Sequence, residues 1–453
     1  MALLCTAAMA SGYVTNTNQS VQFIRTASRN ASLDVDAAYF NPAAAALIDD
    51  GFKLQYGHQV IIQKRTTTDD LVLLNRHEFE GKVFVPAYPT IDAIYKKNKL
   101  AFSFHFGPMG GGGSADYENG LASFERMFCA IPTSVSQVGA AMGVGCDKYS
   151  VDINFSGGAI IYAGQIGAAY SIIDNLSVGI GARLAYQKNK YEGSIKNVMI
   201  NPKGLMFDGS MISASEFFQG LAAMPMLEPM KPTLLYYAAA TAGMEVDATQ
   251  SGLGITPILS IDYKLGDKFN FAARYEFNTK LELTNKSEAG KDAGGMFKND
   301  STFRKDIPGI LSLGVSYNIL PNLRTMLSYT LYFDKQANFN GKENLFDGNT
   351  MDVALGVEFD VTNMLTLSCG YTRTQTGATA EFQSDIDFAL SSNSFGLGGK
   401  VKVNDKLDVD FGFMAAVCEK MKKKSVDTTT GLEHTESFMR VNKMISAGIS
   451  YRF

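Results

Sequence analysis

The chain lacks tryptophan altogether, holds only four histidines and five cysteines among 453 residues, and is charged at only 19% of its positions. Average soluble domains carry roughly 25% charge. Each scarcity excludes something. His58, His77, His105 and His434 are scattered without ligand spacing and no CxxC pair occurs, so no metal and no cofactor is expected. No apolar run reaches the ~18 residues of a membrane-spanning helix. Lys and Arg (41) fall short of Asp and Glu (45), which leaves no basic field for nucleic acid. With 46% hydrophobic residues the chain is too apolar for disorder. What it has in quantity is 30 Phe, 20 Tyr and 43 Gly, the residues of strands and turns. The fold class expected is all-β.

The first ten residues contain the small, apolar string ALLCTAAMA, and Ala8-Met9-Ala10 fits a signal-peptidase site before Ser11. Residues 1–10 read as the remnant of a signal peptide, and export follows. Leu4 before Cys5 argues against a lipoprotein, which wants a small residue there. Cys129 and Cys146 fall in one expected loop, where an oxidising compartment would allow a disulfide.

Apolar and polar residues then alternate with a period of two over long segments. In residues 269–283 the set Phe269, Phe271, Ala273, Tyr275, Phe277, Leu281, Leu283 interleaves with Asn270, Arg274, Glu276, Asn278, Lys280 and Glu282. Residues 323–333 and 351–361 repeat the pattern. Soluble sandwich strands usually run about five or six residues; these run about eleven to fifteen, enough for the roughly 9 to 11 of a tilted membrane-spanning strand. Tight turns are expected at Lys97-Asn98, Asp174-Asn175, Gly266-Asp267, Pro321-Asn322, Thr362-Asn363 and Asn404-Asp405. The other connections are long: residues 64–81, 108–156, 197–250, 285–307, 335–349, 381–392 and 421–436. Short alternating with long marks an outer-membrane barrel, and six turns with seven loops join about 14 strands. The barrel is placed at residues 51–453, surrounded by outer-membrane lipid. Its last strand alternates to Phe453, which resembles the signal read by the barrel assembly machinery. Tyr186, Tyr263, Tyr329 and Tyr371 are the expected interfacial aromatics in place of Trp.

Residues 11–50 carry no alternating strand, but hold Phe23, Ile24, Leu33, Val35, Tyr39, Phe40, Leu47 and Ile48, too much apolar surface for a free tail. They read as an N-terminal hatch, or plug, inside the barrel. Ser11-Gly12-Tyr13, a segment in which Asp36-Ala37-Ala38-Tyr39-Phe40 runs into Asn41-Pro42-Ala43, and about 14 strands ending in Phe453 together resemble the FadL/TodX family of transporters for long-chain fatty acids and other hydrophobic compounds. The resemblance implies a lumen-filling hatch, ligand capture at outer loops and lateral release through the wall. Asn16 to Arg29 stand where better-known members have a Gly- and Ser-rich stretch.

A fatty acid needs a greasy, adaptable surface and a cation. Met211, Phe217, Phe218, Met224, Met226 and Met230 crowd a loop expected to face water and are the apolar binding candidates, with a self-packed cap as the competing reading. Leu121, Phe124, Met127 and Phe128 have helical spacing and would pack against them. Arg25, Arg29, Arg183, Arg274, Arg324 and Lys400 are the candidates for the ligand carboxylate; cross-strand ion pairs with Glu276, Asp352 or Glu358 are the plainer use of each. Gly110 to Gly113 read as a flexible outer loop, and Gly396-Leu397-Gly398-Gly399-Lys400 as barrel wall. The expected activity is passive uptake of long-chain fatty acids or other hydrophobic molecules, without catalytic residues. A general water-filled porin is the alternative, and a lipid hydrolase using Ser103 and His105 is a remoter one lacking an evident orienting acid.

Overall fold

The computed structural model describes residues 20–204 and 206–453. The expected signal remnant, Ser11-Gly12-Tyr13, Asn16, Asn18 and Gln19 lie outside the described residues.

Fourteen antiparallel strands close into a barrel. They are β1 (Gly51–Asp69), β2 (Glu78–Val85 continued by Thr90–Lys97), β3 (Leu100–Tyr117), β4 (Tyr149–Ile173), β5 (Leu176–Ile200), β6 (Met244–Leu265), β7 (Phe269–Glu276 continued by Glu282–Asp292) and β8 (Thr302–Arg304 continued by Ile310–Leu320). β9 (Leu323–Tyr332), β10 (Thr350–Asp360), β11 (Leu365–Gln375), β12 (Ser392–Lys402), β13 (Leu407–Cys418 continued by Met421–Val426) and β14 (Glu433–Arg452) complete it. β1 and β14 close the wall in unbroken register from Lys53↔Arg452 to Asp69↔Glu436. Closure pairs the strand edges around the wall, the condition for strands in lipid, with one interruption between β2 and β3.

Alternation positions the side chains as expected over most of the wall. Val353, Leu355 and Phe359 point outward from β10, while Asp352, Ala354 and Gly356 point inward and are buried. All six expected turns occur within a residue or two; Asn98 and Gly266 take left-handed φ values of 55° and 58° in theirs, which Asn and Gly adopt readily.

Two expectations need correction. The strands run further than the sequence pattern suggests: β1 continues to Asp69, β3 to Tyr117 and β5 to Ile200, so the first outer loop shrinks to residues 70–77. Above the lipid both faces meet water, and alternation is no longer demanded although the ladder continues. Gly110 to Gly113 accordingly belong to β3 rather than to a loop. Residues 269–283 are not one strand: the ladder breaks at 277–281 and the phase slips, so Leu281 and Leu283 are buried while Phe271 and Phe277 face outward. Cys129 and Cys146, whose pairing the sequence leaves open, are free thiols, and burial pushes the Cys129 thiol up to about 11.

Two outer loops fold as a helical cap: α3 (Ala122–Glu125) and α4 (Ile131–Gly139) in one, α5 (Ala214–Ala222) and α6 (Lys231–Ala240) in the other. Ser213 caps α5 through its side chain. Phe124, Phe128, Ile131, Phe217, Phe218, Leu221 and Leu234 are buried in one apolar cluster.

Candidate functional site

Residues 20–48 are packed against the inward face of the wall, and the exposed Asp49 and Asp50 lead into β1. Ser20 caps α1 (Val21–Thr26) by accepting from Phe23 N at 2.9 Å, and donates to Asp36 at 2.8 Å. Asp36 also receives Arg29 and Ser32, so a buried network folds the segment on itself before α2 (Ala37–Phe40). Pro42 then opens a 3-10 turn, Pro42–Ala46, a position suited to its fixed φ and missing N–H. The Asn-Pro-Ala string has a physical role here. Asn41 donates to Asp262 at 2.6 Å, Ala43 N donates to Ser260 at 3.0 Å, and Ala43 O accepts from Ser177 at 2.7 Å.

The wall makes room for α1. Gly356, Gly370 and Gly396 form one transverse row on β10, β11 and β12. A Cβ on Gly370 would fall 1.8 Å from the Thr26 carbonyl oxygen, and one on Gly396 would fall 2.5 Å from that of Ile24. Gly370→Ala is therefore expected to push α1 off the wall, cost about 1–3 kcal/mol and admit a leak current; unchanged melting and a silent bilayer recording would refute this.

Most candidate cations already hold carboxylates. Arg25 joins Glu358 and Asp410, Arg29 joins Asp34 and Asp36, and Arg324 joins Glu358 at 2.9 Å and Asp360 at 2.7 Å. Arg183 and Arg274 share Glu276, and their guanidinium groups stand 4.7 and 5.2 Å from the Tyr39 ring centre. Arg274 combines two features. Its Nε, like Arg25 Nη2, has no hydrogen-bond partner among the described residues, and it borders a small cavity lined by Phe23, Tyr39, Phe40, Ile310 and Tyr332 and also by the polar Arg29, Asn30, Ser328, Thr330 and Asp352. Lys400 makes no ion pair among the described residues and lines a cavity of about 270 Å³ near the short turns, with Asp34, Lys53, Lys264 and Arg452.

Of the loop candidates, Phe217 and Phe218 are buried and Met224 and Met230 partly so, packed in the cap. Met226 is 70% exposed and Met211 39%. The loop is thus both a small core and a greasy outer surface.

The wall between β2 and β3 is open in its backbone. Their ladder runs from Lys97↔Leu100 to Ile91↔Phe106, and only Lys82↔Asp116 pairs above that. Pro86 and Pro89 interrupt β2 and supply no N–H, while β3 shifts register against β4 at Pro108/Gly110 and Gly111/Gly113. Side chains close the gap instead. A Cβ on Gly113 would fall 2.7 Å from Val83 Cγ1 and 2.9 Å from Val85 Cγ2, and one on Gly112 3.2 Å from the Tyr88 ring. Val83, Val85 and Tyr88 belong to the large buried cluster that includes Phe124 and Phe218 of the cap and Phe23, Tyr39 and Phe40, while Met109 on β3 joins a separate one with Ile161, Ala163, Ala185, Leu281, Leu283, Ile307, Ile310 and Tyr332. Sequence reasoning missed this region, although two prolines inside a strand-like run, opposite a glycine run, marked it.

His105 does have an orienting acid, Asp92 at 2.8 Å. The pair is fully buried beneath Tyr39, whose ring centre is 4.8 Å from that of His105, and Ser103 Oγ has no hydrogen-bond partner among the described residues. No cluster of metal-ligating side chains occurs among the described residues.

A family model described as outer membrane protein transport protein (OMPP1/FadL/TodX) matches residues 163–453. No curated protein sequence matches the chain. Among solved structures, a Pseudomonas aeruginosa FadL homologue superposes with a TM-score of 0.64 at 14% identity, covering 98% of this chain and 100% of that one. The P. putida toluene transporter TodX gives 0.55 at 14%, covering 98% and 99%. The Ralstonia pickettii toluene transporter TbuX gives 0.54 at 14%, with the same coverage. With a closed barrel of 14 strands and a matching family model over more than half its length, the chain belongs to the OMPP1/FadL/TodX family of outer-membrane transporters of hydrophobic compounds.

Proposed function

We propose that the protein passively takes up long-chain fatty acids, capturing them at the outer cap and releasing them sideways into the membrane between β2 and β3. The observation that carries this reading is the wall gap closed by Val83, Val85 and Tyr88, which belong to one buried apolar cluster with Phe124 and Phe218 of the cap and with Phe23, Tyr39 and Phe40. An acyl chain moving along that cluster stays out of water until it meets lipid. Residues 20–50 act as a hatch that closes the axial route, and Met211 and Met226 supply a first adaptable contact. Arg274 receives the carboxylate, since of the candidate cations bordering the cavity beside Phe23, Tyr39 and Phe40 it is the one with an unused buried N–H among the described residues.

The test is uptake into vesicles holding the purified protein, with oleate and toluene compared. Arg274→Gln is expected to weaken oleate uptake about tenfold to a hundredfold, the scale of one hydrogen bond to a charged group, and Arg274→Lys to restore part of it. Toluene uptake should not change. Equal loss for both compounds would assign Arg274 a structural role and leave the ligand a neutral hydrocarbon.

A further inference from the structure

Three lysines face outward on neighbouring strands at the top of the apolar band: Lys443 on β14, Lys64 on β1 and Lys82 on β2. Lys64 stands directly opposite Lys82, and Lys443 directly opposite Ile62, one alternate position below Lys64. Cβ atoms at opposite positions lie about 5 Å apart and diagonal ones about 7–8 Å, so the three flexible side chains converge on one patch. Beneath them lies an outward apolar strip. Ile62 pairs with Phe84 and Val60 with Ile445, and Phe84 is 65% exposed.

The arrangement is unfavourable as it stands. Like charges directly opposite on neighbouring strands destabilise a sheet. Lys443 sits level with Ile62 and has Ala415 on its other side, so its charge is rooted inside the lipid-facing band, where an ammonium group is costly unless it snorkels to a partner. The nearby acids offset the patch only in part. Glu80 pairs with Lys64 and the Asp116 carboxylate, which accepts from Ser156 at 2.7 Å, stands opposite Lys82, whereas Glu419 is held by Arg373 at 2.6 Å and no acid pairs with Lys443 among the described residues. Lys82 and Lys443 make no ion pair among the described residues.

We propose that this patch binds a phosphate-bearing lipid of the outer leaflet, its phosphates meeting Lys443, Lys64 and Lys82 and its acyl chains lying along Ile62, Phe84 and Ile445. Cations over an apolar strip match an anionic amphiphile in both charge and shape. The site is on the outer wall and does not depend on what the lumen carries.

The experiment titrates the purified full chain in neutral detergent with diphosphoryl lipid A, read by native mass spectrometry. The Lys64→Gln, Lys82→Gln, Lys443→Gln triple variant should bind about a hundredfold more weakly, at roughly fivefold for each basic residue near a membrane surface. Dephosphorylated lipid and inorganic phosphate should not compete, since each offers half of the recognised chemistry. All three positions are solvent- or lipid-facing, so the variant keeps its folded gel mobility. Equal binding by the triple variant would overturn the proposal. So would an equal loss in Lys188→Gln, Lys190→Gln on β5, which would mean diffuse attraction to charge. Displacement by oleate but not by excess lipid A would make the patch a station for a released carboxylate instead.

Discussion

A bilayer holding the intact protein is expected to stay electrically silent, and one holding the chain without residues 11–50 to show a steady aqueous current. The segment from 20 to 50 is tied to wall strands all around the lumen: Gln22 and Arg25 to Asp410, Asn30 to the carbonyls of Leu313 and Tyr329, Gln165 to Ala38 O, and Asn41 to Asp262. Almost every residue between Ser20 and Ile48 is buried. The barrel should survive the deletion because the inward groups it uncovers, Gln55, Asp92, Gln165, Asp262, Asn270 and Asp410 among them, are polar and become solvated in a wet lumen. A second obstacle stands above. The connection between β11 and β12 folds into the outer mouth, where Phe388 packs against Phe438 and lies 4.3 Å from the Arg65 guanidinium, and Asp385 accepts from Ser123 N at 2.7 Å. Current should therefore rise again when residues 378–389 are also replaced by a Gly-Ser linker. A large ohmic current from the intact chain would mean an open lumen and return the porin reading.

Legibility followed the solvent. Where one face meets lipid and the other a polar lumen, the period of two is enforced residue by residue, and residues 351–361 read correctly from sequence. Beyond the lipid the strands kept pairing in water without that demand, so Lys64 to Asp69 passed for a loop. The phase slip at residues 277–281 was hidden because Leu281 and Leu283 continue the apolar count while turning to the interior. The inward position of Arg183 and Arg274 was readable, and so was Glu276, two residues from Arg274 on the same face. Their meeting at Tyr39 was not, because it joins the N-terminal segment to β5 and β7 and no local pattern reports a contact so distant in sequence.

Locking the wall gap should abolish uptake reversibly. In a variant whose native cysteines are replaced by serine, Val83→Cys with Gly113→Cys places a Cβ at 113 beside the Val83 Cγ1 position at 2.7 Å, near the roughly 3 Å between a disulfide's Cβ and the far sulfur. The bond would join β2 and β3 where no backbone pair does, and hold Val83 and Val85 against the glycine run. A hydrophobic ligand leaving by this gap must part those side chains, a displacement of dispersion contacts alone, whereas parting a paired ladder elsewhere would break several backbone hydrogen bonds at about 1 kcal/mol or more each in lipid. That difference is the physical ground for proposing the exit between β2 and β3. Oxidised protein should take up ligand at least about tenfold more slowly than either single variant and recover on reduction, with binding to the outer cap unaffected. Undiminished uptake by the oxidised form, with the crosslink verified by mass, would place the exit elsewhere and leave the gap as a structural consequence of Pro86 and Pro89.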